Sequence, residues 1–163
     1  MNDIAPDPAL ADPMLRVLRE RHPEVDIVLL PGPAARPDVP TLAAAERDAL
    51  AHSTEVLVDD VLAHLSREPA WTGSAREGRW RNDSQGLTRY EVVVVVSGLE
   101  EGANIDLLRA TGAAMLGLGW QARPIPGNRP RLAARRAGVS ATATVRSTQF
   151  LLTVQSSWVG VPA

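Results

Sequence analysis

The clearest hydrophobic pattern in the chain is the run of five valines from Val92 to Val96. A short continuous apolar run predicts a strand that is covered on both faces and lies centrally in a sheet. The segments Gly78–Asn82 and Tyr90–Ser97, separated by turn-forming residues at 83–86, predict a β-hairpin that contains this strand.

Two segments have the periodicity of helices. Apolar residues at positions 50, 57, 58, 61 and 65 share one face of a helix predicted over Thr41–Arg67, with Thr41 as its N-cap. A second helix is predicted over Gly102–Leu118, and Gly119 is suited to the position that follows a helix end. Both helices have an apolar side that must be buried against another element.

The carboxyl-terminal half has the shorter alternation of strands. Between residues 140 and 146, polar Ser, Thr and Arg side chains alternate with Ala and Val, which predicts a half-exposed sheet. We therefore predict an α+β fold, a single antiparallel sheet with two main helices packed on one face. Its later strands are predicted over Trp120–Arg123, Arg131–Arg136, Ala141–Ser147 and Gln149–Ser157, with a hairpin turn at 135–138.

The amino-terminal segment differs from the rest in its proline content. Within residues 1–40 we predict a short helix that begins after Asp12 as N-cap, and a strand over Val25–Leu30. A proline-rich linker then leads to the α+β domain, for which we predict residues 41–163.

The composition narrows the range of functions. The 163 residues can bury one core, and the absence of cysteine excludes disulfides and thiolate metal sites. The amino terminus has neither the basic nor the apolar region of a signal peptide, and no apolar run could span a bilayer. We therefore expect a cytoplasmic protein that does not contact a membrane.

No catalytic constellation is visible in the sequence. The three histidines lack the spacing of a metal site, and an Asp60–His64 pair on one helix is best explained as solvated polar residues. The chain contains neither a nucleophile elbow nor a glycine-rich phosphate loop that follows a strand. We expect no enzymatic activity, no metal and no cofactor.

Charge is distributed unequally along the chain. Residues 1–68 contain 13 acidic side chains and 6 arginines, whereas residues 69–163 contain 6 acidic side chains and 11 arginines. This asymmetry has two interpretations: the acidic half packs beside the basic half, or the basic sheet meets an acidic partner. Because the whole chain is acidic, with few aromatic residues among the arginines, we expect no nucleic-acid binding.

The candidate binding residues follow from the second interpretation. Arginines near the end of the chain offer charge, and two tryptophans that are difficult to bury offer apolar anchors for a partner. The candidates are Trp71, Arg123, Arg131, Arg135, Arg136 and Trp158.

Two segments resemble known families. The segment from Leu18 to Pro31 looks like the amino-terminal stretch of small uncharacterised actinobacterial proteins linked to type VII secretion clusters. The segment from Tyr90 to Ser157, with Gly119-Trp120 after its helix, resembles the core of small actinobacterial envelope lipoproteins. Those proteins have a lipobox cysteine and a late cysteine; this chain has neither, so the resemblance implies no membrane anchor and no catalytic residue.

These observations together predict a non-catalytic protein-binding module, accessory or chaperone-like, associated with type VII secretion. Its expected partner is an acidic helical client, bound on an exposed sheet face or an edge strand, and a homodimer is a further expectation. The alternatives are an immunity protein that neutralises a secreted toxin domain, and a small-molecule-binding or enzymatic α+β domain. A polar pocket that joins His64, Asp60 and arginines would favour the last of these.

Overall fold

The structure, a computed structural model, describes residues 12–25, 38–65, 74–100 and 102–162. The chain divides into two compact units, Met1–Pro37 and Asp38–Ala163. Trp71, most of the predicted strand Val25–Leu30 and most of the proline-rich linker lie outside the described residues.

The first unit contains helix α1, Pro13–Arg21. The Asp12 carboxylate accepts hydrogen bonds from the backbone N–H groups of Met14 and Leu15, at 2.8 and 3.3 Å. The predicted N-cap is therefore confirmed, and Pro13 stands at the first helical position, where no N–H group is needed.

The second unit is an antiparallel sheet with two helices, which confirms the predicted α+β class. Helix α2 covers Ala44–Leu65 and helix α3 covers Ala103–Gly117. All six strands pair antiparallel in the spatial order β1-β2-β6-β5-β4-β3. They are β1 Ser74–Asn82, β2 Thr88–Ser97, β3 Gln121–Ile125, β4 Arg131–Arg136, β5 Val139–Arg146 and β6 Gln149–Gln155.

Along the inner strands, every second side chain is buried, and these buried side chains all lie on one face of the sheet and form the core. Val94 of β2, Leu152 of β6 and Ala143 of β5 lie opposite one another across the sheet, and all are at most 1 % exposed. They form one apolar cluster with Val61 of α2 and Met115 of α3. We call this set of strand residues the core side and the alternate set the polar side.

Strand β2 has neighbours on both edges, as its apolar sequence predicted, but its two faces differ. Val92, Val94 and Val96 are buried on the core side, whereas Val93 and Val95 on the polar side are only partly buried. The prediction that both faces are covered is therefore wrong for the described residues. Because every position in the run is valine, the sequence does not indicate which side of the strand is less covered.

The first turn of α2 is closed differently from the prediction. Thr41 forms a bridge with Gly160, so the helix begins three residues later, at Ala44. The Ala43 N–H group donates to Glu46 Oε2 at 2.7 Å, which satisfies one of the donors at the helix start. The predicted end of this helix at Arg67 lies outside the described residues.

Strand β1 is longer than the predicted Gly78–Asn82 because its pairing with β2 continues back to Ser74. The strand is exposed along its whole length except for half-buried Trp80. Without alternating burial, its first half carries no hydrophobic signal that sequence analysis could detect.

A polar network joins α2 to the core side of β1 and β2. The hydroxyl of Tyr90 donates to Glu55 Oε1 at 2.7 Å, and Arg76 forms ion pairs with both Glu55 and Asp59. Gly78 lies beneath this network, because a Cβ atom at that position would overlap both the Tyr90 hydroxyl and the Glu55 carboxylate. The missing side chain at Gly78 thus lets the helix and the hairpin approach closely.

We predict that the single tyrosine titrates abnormally. Burial and the hydrogen bond to Glu55 raise the pKa of Tyr90 from 10.0 to about 12. A raised pKa means that the stability from Tyr90 is fully present below pH 10.0 and is lost as the pH rises toward 12. Tyrosinate absorbance should therefore report a higher titration midpoint in the native protein than in the denatured protein.

The variant Glu55→Gln tests the cause. It removes the negative charge beside Tyr90, so the pKa of Tyr90 should fall, and the free energy of unfolding at neutral pH should decrease by about 1 kcal/mol. The matched control is Glu100→Gln, since Glu100 is exposed and lies beyond the end of β2 opposite to Tyr90. Equal titration midpoints in Glu55→Gln and wild type would contradict the assignment.

Candidate functional site

A cavity of about 560 Å³ opens at one end of the sheet. It lies where β2 and β5 begin, where β4 ends, and where the chain continues beyond β6. Its described lining residues are Arg89, Gly119, Gln121, Arg135, Arg136, Ala137, Gly138, Val139, Ser140, Ser156, Ser157 and Trp158. We call this region the end site.

The end site contains a stacked arginine–tryptophan pair. The guanidinium carbon of Arg89 lies 4.3 Å from the centre of the Trp158 ring, within the range of a cation–π interaction. The Nε atom of Arg89 is buried and has no hydrogen-bond partner among the described residues. A buried N–H donor without a partner is costly, so this atom is a local weak point of the site.

The chain that follows β6 is fixed by backbone hydrogen bonds, and these position Trp158. Thr88 and Val159 exchange two N–H···O bonds of 2.8 Å, and the Gly160 N–H group donates to Pro40 O at 2.9 Å. Trp158 precedes Val159 and Arg89 follows Thr88, so this bridge holds Trp158 beside Arg89. The tryptophan belongs to an ordered segment and not to a free carboxyl-terminal tail.

A two-residue turn between β4 and β5 forms the opposite wall. Ala137 and Gly138 both have positive φ angles, 46° and 82°, as the predicted hairpin turn at 135–138 requires. The turn follows Arg135 and Arg136 directly, so it places both arginines at the cavity. A non-glycine residue with positive φ costs about 1–2 kcal/mol, so Ala137 is a strained residue at the rim of the site.

The end site differs from the rest of the sheet in charge. Arg89, Arg135 and Arg136 form no ion pair within the described part of the chain, and none of the described lining residues is acidic. The site therefore concentrates positive charge that no described side chain neutralises, which attracts anions.

On β1 the arginines are neutralised. The Glu91 carboxylate, with a side chain 8 % exposed, accepts from Arg81 at 3.1 Å, from Arg79 at 3.4 Å and from Gln155 at 2.7 Å. Burial alone would raise the pKa of Glu91, but these hydrogen bonds and the charge of Arg81 hold it below its usual value. The carboxylate thus stays ionised and balances the arginines beside it.

The structure brings three of the six predicted binding residues into the end site, namely Arg135, Arg136 and Trp158. Arg123 and Arg131 do not line the cavity. They lie exposed on the polar side of β3 and β4, where Arg123 pairs with Ala133, between Arg131 and Arg135. The polar side thus extends the positive charge of the end site, and Trp71 lies outside the described residues.

Sequence reasoning missed Arg89 and the serines as members of this site. The spacing of Arg89 to Trp158 carries no motif that sequence analysis could detect. The link depends on the backbone exchange between Thr88 and Val159, which joins residues distant in sequence. Only the pairing of β2 with the chain beyond β6 reveals the site.

Other candidate chemistry does not converge here. His64 Nδ1 lies 3.1 Å from the backbone oxygen of Asp60, both residues are exposed, and neither lines the end site. Among the described residues, no group of three or more His, Cys, Asp or Glu side chains could hold a metal ion. None of the described helices combines the length and apolar character needed to cross a membrane.

Comparison with protein-family models, with curated proteins and with solved structures gives no significant match to this chain. The function must therefore be inferred from the geometry and charge of the end site.

We predict that relieving the strain at Ala137 stabilises the protein. Ala137→Asn should raise the free energy of unfolding by about 1 kcal/mol, because Asn tolerates positive φ at the first position of such a turn. Chemical denaturation followed by circular dichroism measures the change. The control Ala63→Asn, in an exposed part of α2, should destabilise by about 0.5 kcal/mol. No gain for Ala137→Asn would contradict the strained turn.

Proposed function

We propose that the protein is a non-catalytic binding module whose end site holds an acidic segment of a protein partner. The observation that carries this proposal is the stacked Arg89–Trp158 pair beside Arg135 and Arg136, three arginines that form no ion pair within the described part of the chain. Arginine presents a planar set of donors that matches the geometry of carboxylates, so an acidic side chain suits this site.

The surroundings favour a segment of a protein over a single small anion. On the polar side, exposed Arg123 and Arg131 continue the positive charge beyond Arg135. Arg131 and Arg135 lie four residues apart on one strand, a distance of about 13 Å, which is close to the rise of about 11 Å between carboxylates two helical turns apart. An acidic helix laid along β4 would therefore contact both arginines and reach the end site with one end.

Trp158 supplies the apolar part of the proposed interaction. Its ring is half-buried, and one face carries the Arg89 guanidinium. Tryptophan and arginine dominate the energies of many protein interfaces because they combine a large contact area with polar groups. An apolar side chain near the end of the acidic helix would contact the exposed part of the indole.

We predict that charge reversal in the end site abolishes binding of an acidic helix. The probe is a fluorescent amphipathic peptide with glutamates on one helical face, and a matched peptide with glutamine at those positions is the reference. The wild type should bind the glutamate peptide, and Arg135→Glu/Arg136→Glu should raise its Kd at least about tenfold, since each lost charge-assisted contact costs about 1–3 kcal/mol. Fluorescence anisotropy measures both affinities.

The control variant is Arg109→Glu on α3. Arg109 is exposed, forms an ion pair with Asp106 and does not line the end site. This variant should bind the glutamate peptide as the wild type does. Equal binding of the two peptides, or unchanged binding by Arg135→Glu/Arg136→Glu, would contradict the proposal.

Competition separates a protein segment from a small ligand. Displacement of the peptide by micromolar inorganic phosphate or a small dicarboxylate would favour the alternative of a small-molecule-binding domain. The link to type VII secretion and the role as an immunity protein stay predictions, as no structural observation favours one acidic partner over another.

A further inference from the structure

The two outer strands of the sheet differ in how well they could accept another strand. Strand β3 has five residues and includes Pro124, which lacks an N–H group and so weakens an edge for further pairing. Strand β1 has nine residues without proline, and no strand in the described part of the chain pairs with its outer edge. Strand β2 is already paired on both sides, so β1 is the edge that can add a strand.

The hydrogen bonds of β2 reveal which groups of β1 point outward. Tyr90 directs its carbonyl away from β1, where it accepts from the Ser156 N–H group at 2.9 Å. Its β1 partner Trp80 therefore belongs to a pair that exchanges no backbone hydrogen bonds. The N–H and C=O groups of Trp80 point to the outer edge, and by alternation so do those of Gly78 and Arg76.

The sequence of β1 is complementary to itself about Gly78. When two copies of β1 run antiparallel around a two-fold axis at Gly78, Glu77 of each copy lies opposite the partner's Arg79. The two-fold axis forms this pair of opposite charges twice. Glu77 and Arg79 form an ion pair of 3.4 Å within one copy, but with exposed fractions of 68 % and 41 % both side chains are accessible to the partner strand.

Other symmetric registers are less complementary. An axis at Glu77 places two glutamates opposite each other. An axis at Arg79 sets Glu77 opposite the partner's Arg81 but also places two arginines opposite each other at the axis. An axis at Trp80 places Arg79 opposite the partner's Arg81. Like charges directly opposite destabilise a strand pair. An axis between two residues would place each residue with outward N–H and C=O groups opposite a residue whose groups point to β2. No ladder of hydrogen bonds could then form, so such a register is excluded.

We propose that the protein forms a two-fold dimer in which two β1 strands pair antiparallel about Gly78, joining the two sheets into one. Gly78 suits the axis because its backbone groups point outward, so the two copies of Gly78 can exchange both backbone hydrogen bonds. The dimer uses the edge of the sheet at β1, whereas the end site is lined by residues from β2 to β5 and the chain beyond β6. The dimer therefore does not depend on the proposed binding function.

Cysteine cross-linking tests the register, and the cysteine-free chain gives a clean background. A mixture of Glu77→Cys and Arg79→Cys should form a disulfide-linked dimer under mild oxidation, because these positions face each other across the axis. Each variant alone should cross-link far less, since its two cysteines are offset by two residues, about 8 Å apart, beyond disulfide reach. The mismatched mixture of Glu77→Cys and Arg81→Cys is the control.

Light scattering after size exclusion tests the charges. The wild type should be a dimer, and Glu77→Arg should weaken dimerisation at least about tenfold by placing like charges opposite at both pairs. Mixing Glu77→Arg with Arg79→Glu should restore a dimer, because opposite charges then face each other at both positions. Thermal unfolding of each variant distinguishes loss of the dimer from loss of the fold.

A wild type that stays monomeric at all concentrations would overturn the proposal. Equal cross-linking of the matched and mismatched mixtures would also overturn it, as would a dimer that Glu77→Arg does not weaken. Cross-linking specific to the matched mixture, together with recovery on mixing the charge variants, would establish the β1 interface.

Discussion

The rest of the structure depends on the pairing of β2 with β6 and of β6 with β5. The register of these pairings places Val94, Leu152 and Ala143 opposite one another on the core side. There they form one apolar cluster with residues of both helices. A shift of one residue in either pairing would turn these side chains to the polar side. The burial of this cluster therefore fixes the positions of all other strands, including those that carry no hydrophobic signal of their own.

The same register determines where the functional groups lie. Because β2, β5 and the chain beyond β6 meet at one end of the sheet, Arg89, Trp158 and the β4–β5 turn converge although they are distant in sequence. The Thr88–Val159 bridge is the decisive local link, since it carries the β2–β6 pairing past the end of β6. The end site is thus a consequence of strand pairing and not of a contiguous motif.

The parts of the fold that could be predicted from the sequence are those with strong periodicity or definite turn chemistry. The helix over 102–118, the strand over 131–136 and the turn at 135–138 fall within a residue of the observed elements. The N-cap role predicted for Thr41 was wrong, because Thr41 instead forms a bridge with Gly160. The first half of β1 was not predicted, because only its pairing with β2 makes it a strand. That Arg135, Arg136 and Trp158 lie together could not be predicted, because strand pairing brings them to one cavity from distant parts of the sequence.

The placement of arginines separates those that serve the fold from those that are available to a partner. Arg76 and Arg81 are matched by carboxylates on α2 and β2, and their charge is balanced within the domain. Arg135 and Arg136 have no such match among the described residues, although β5, β6 and the turn beside them could have carried an acidic residue. Charged edges usually discourage strand addition. On β1, however, Glu77 and Arg79 alternate, so that each would face its opposite charge in the proposed antiparallel pairing about Gly78.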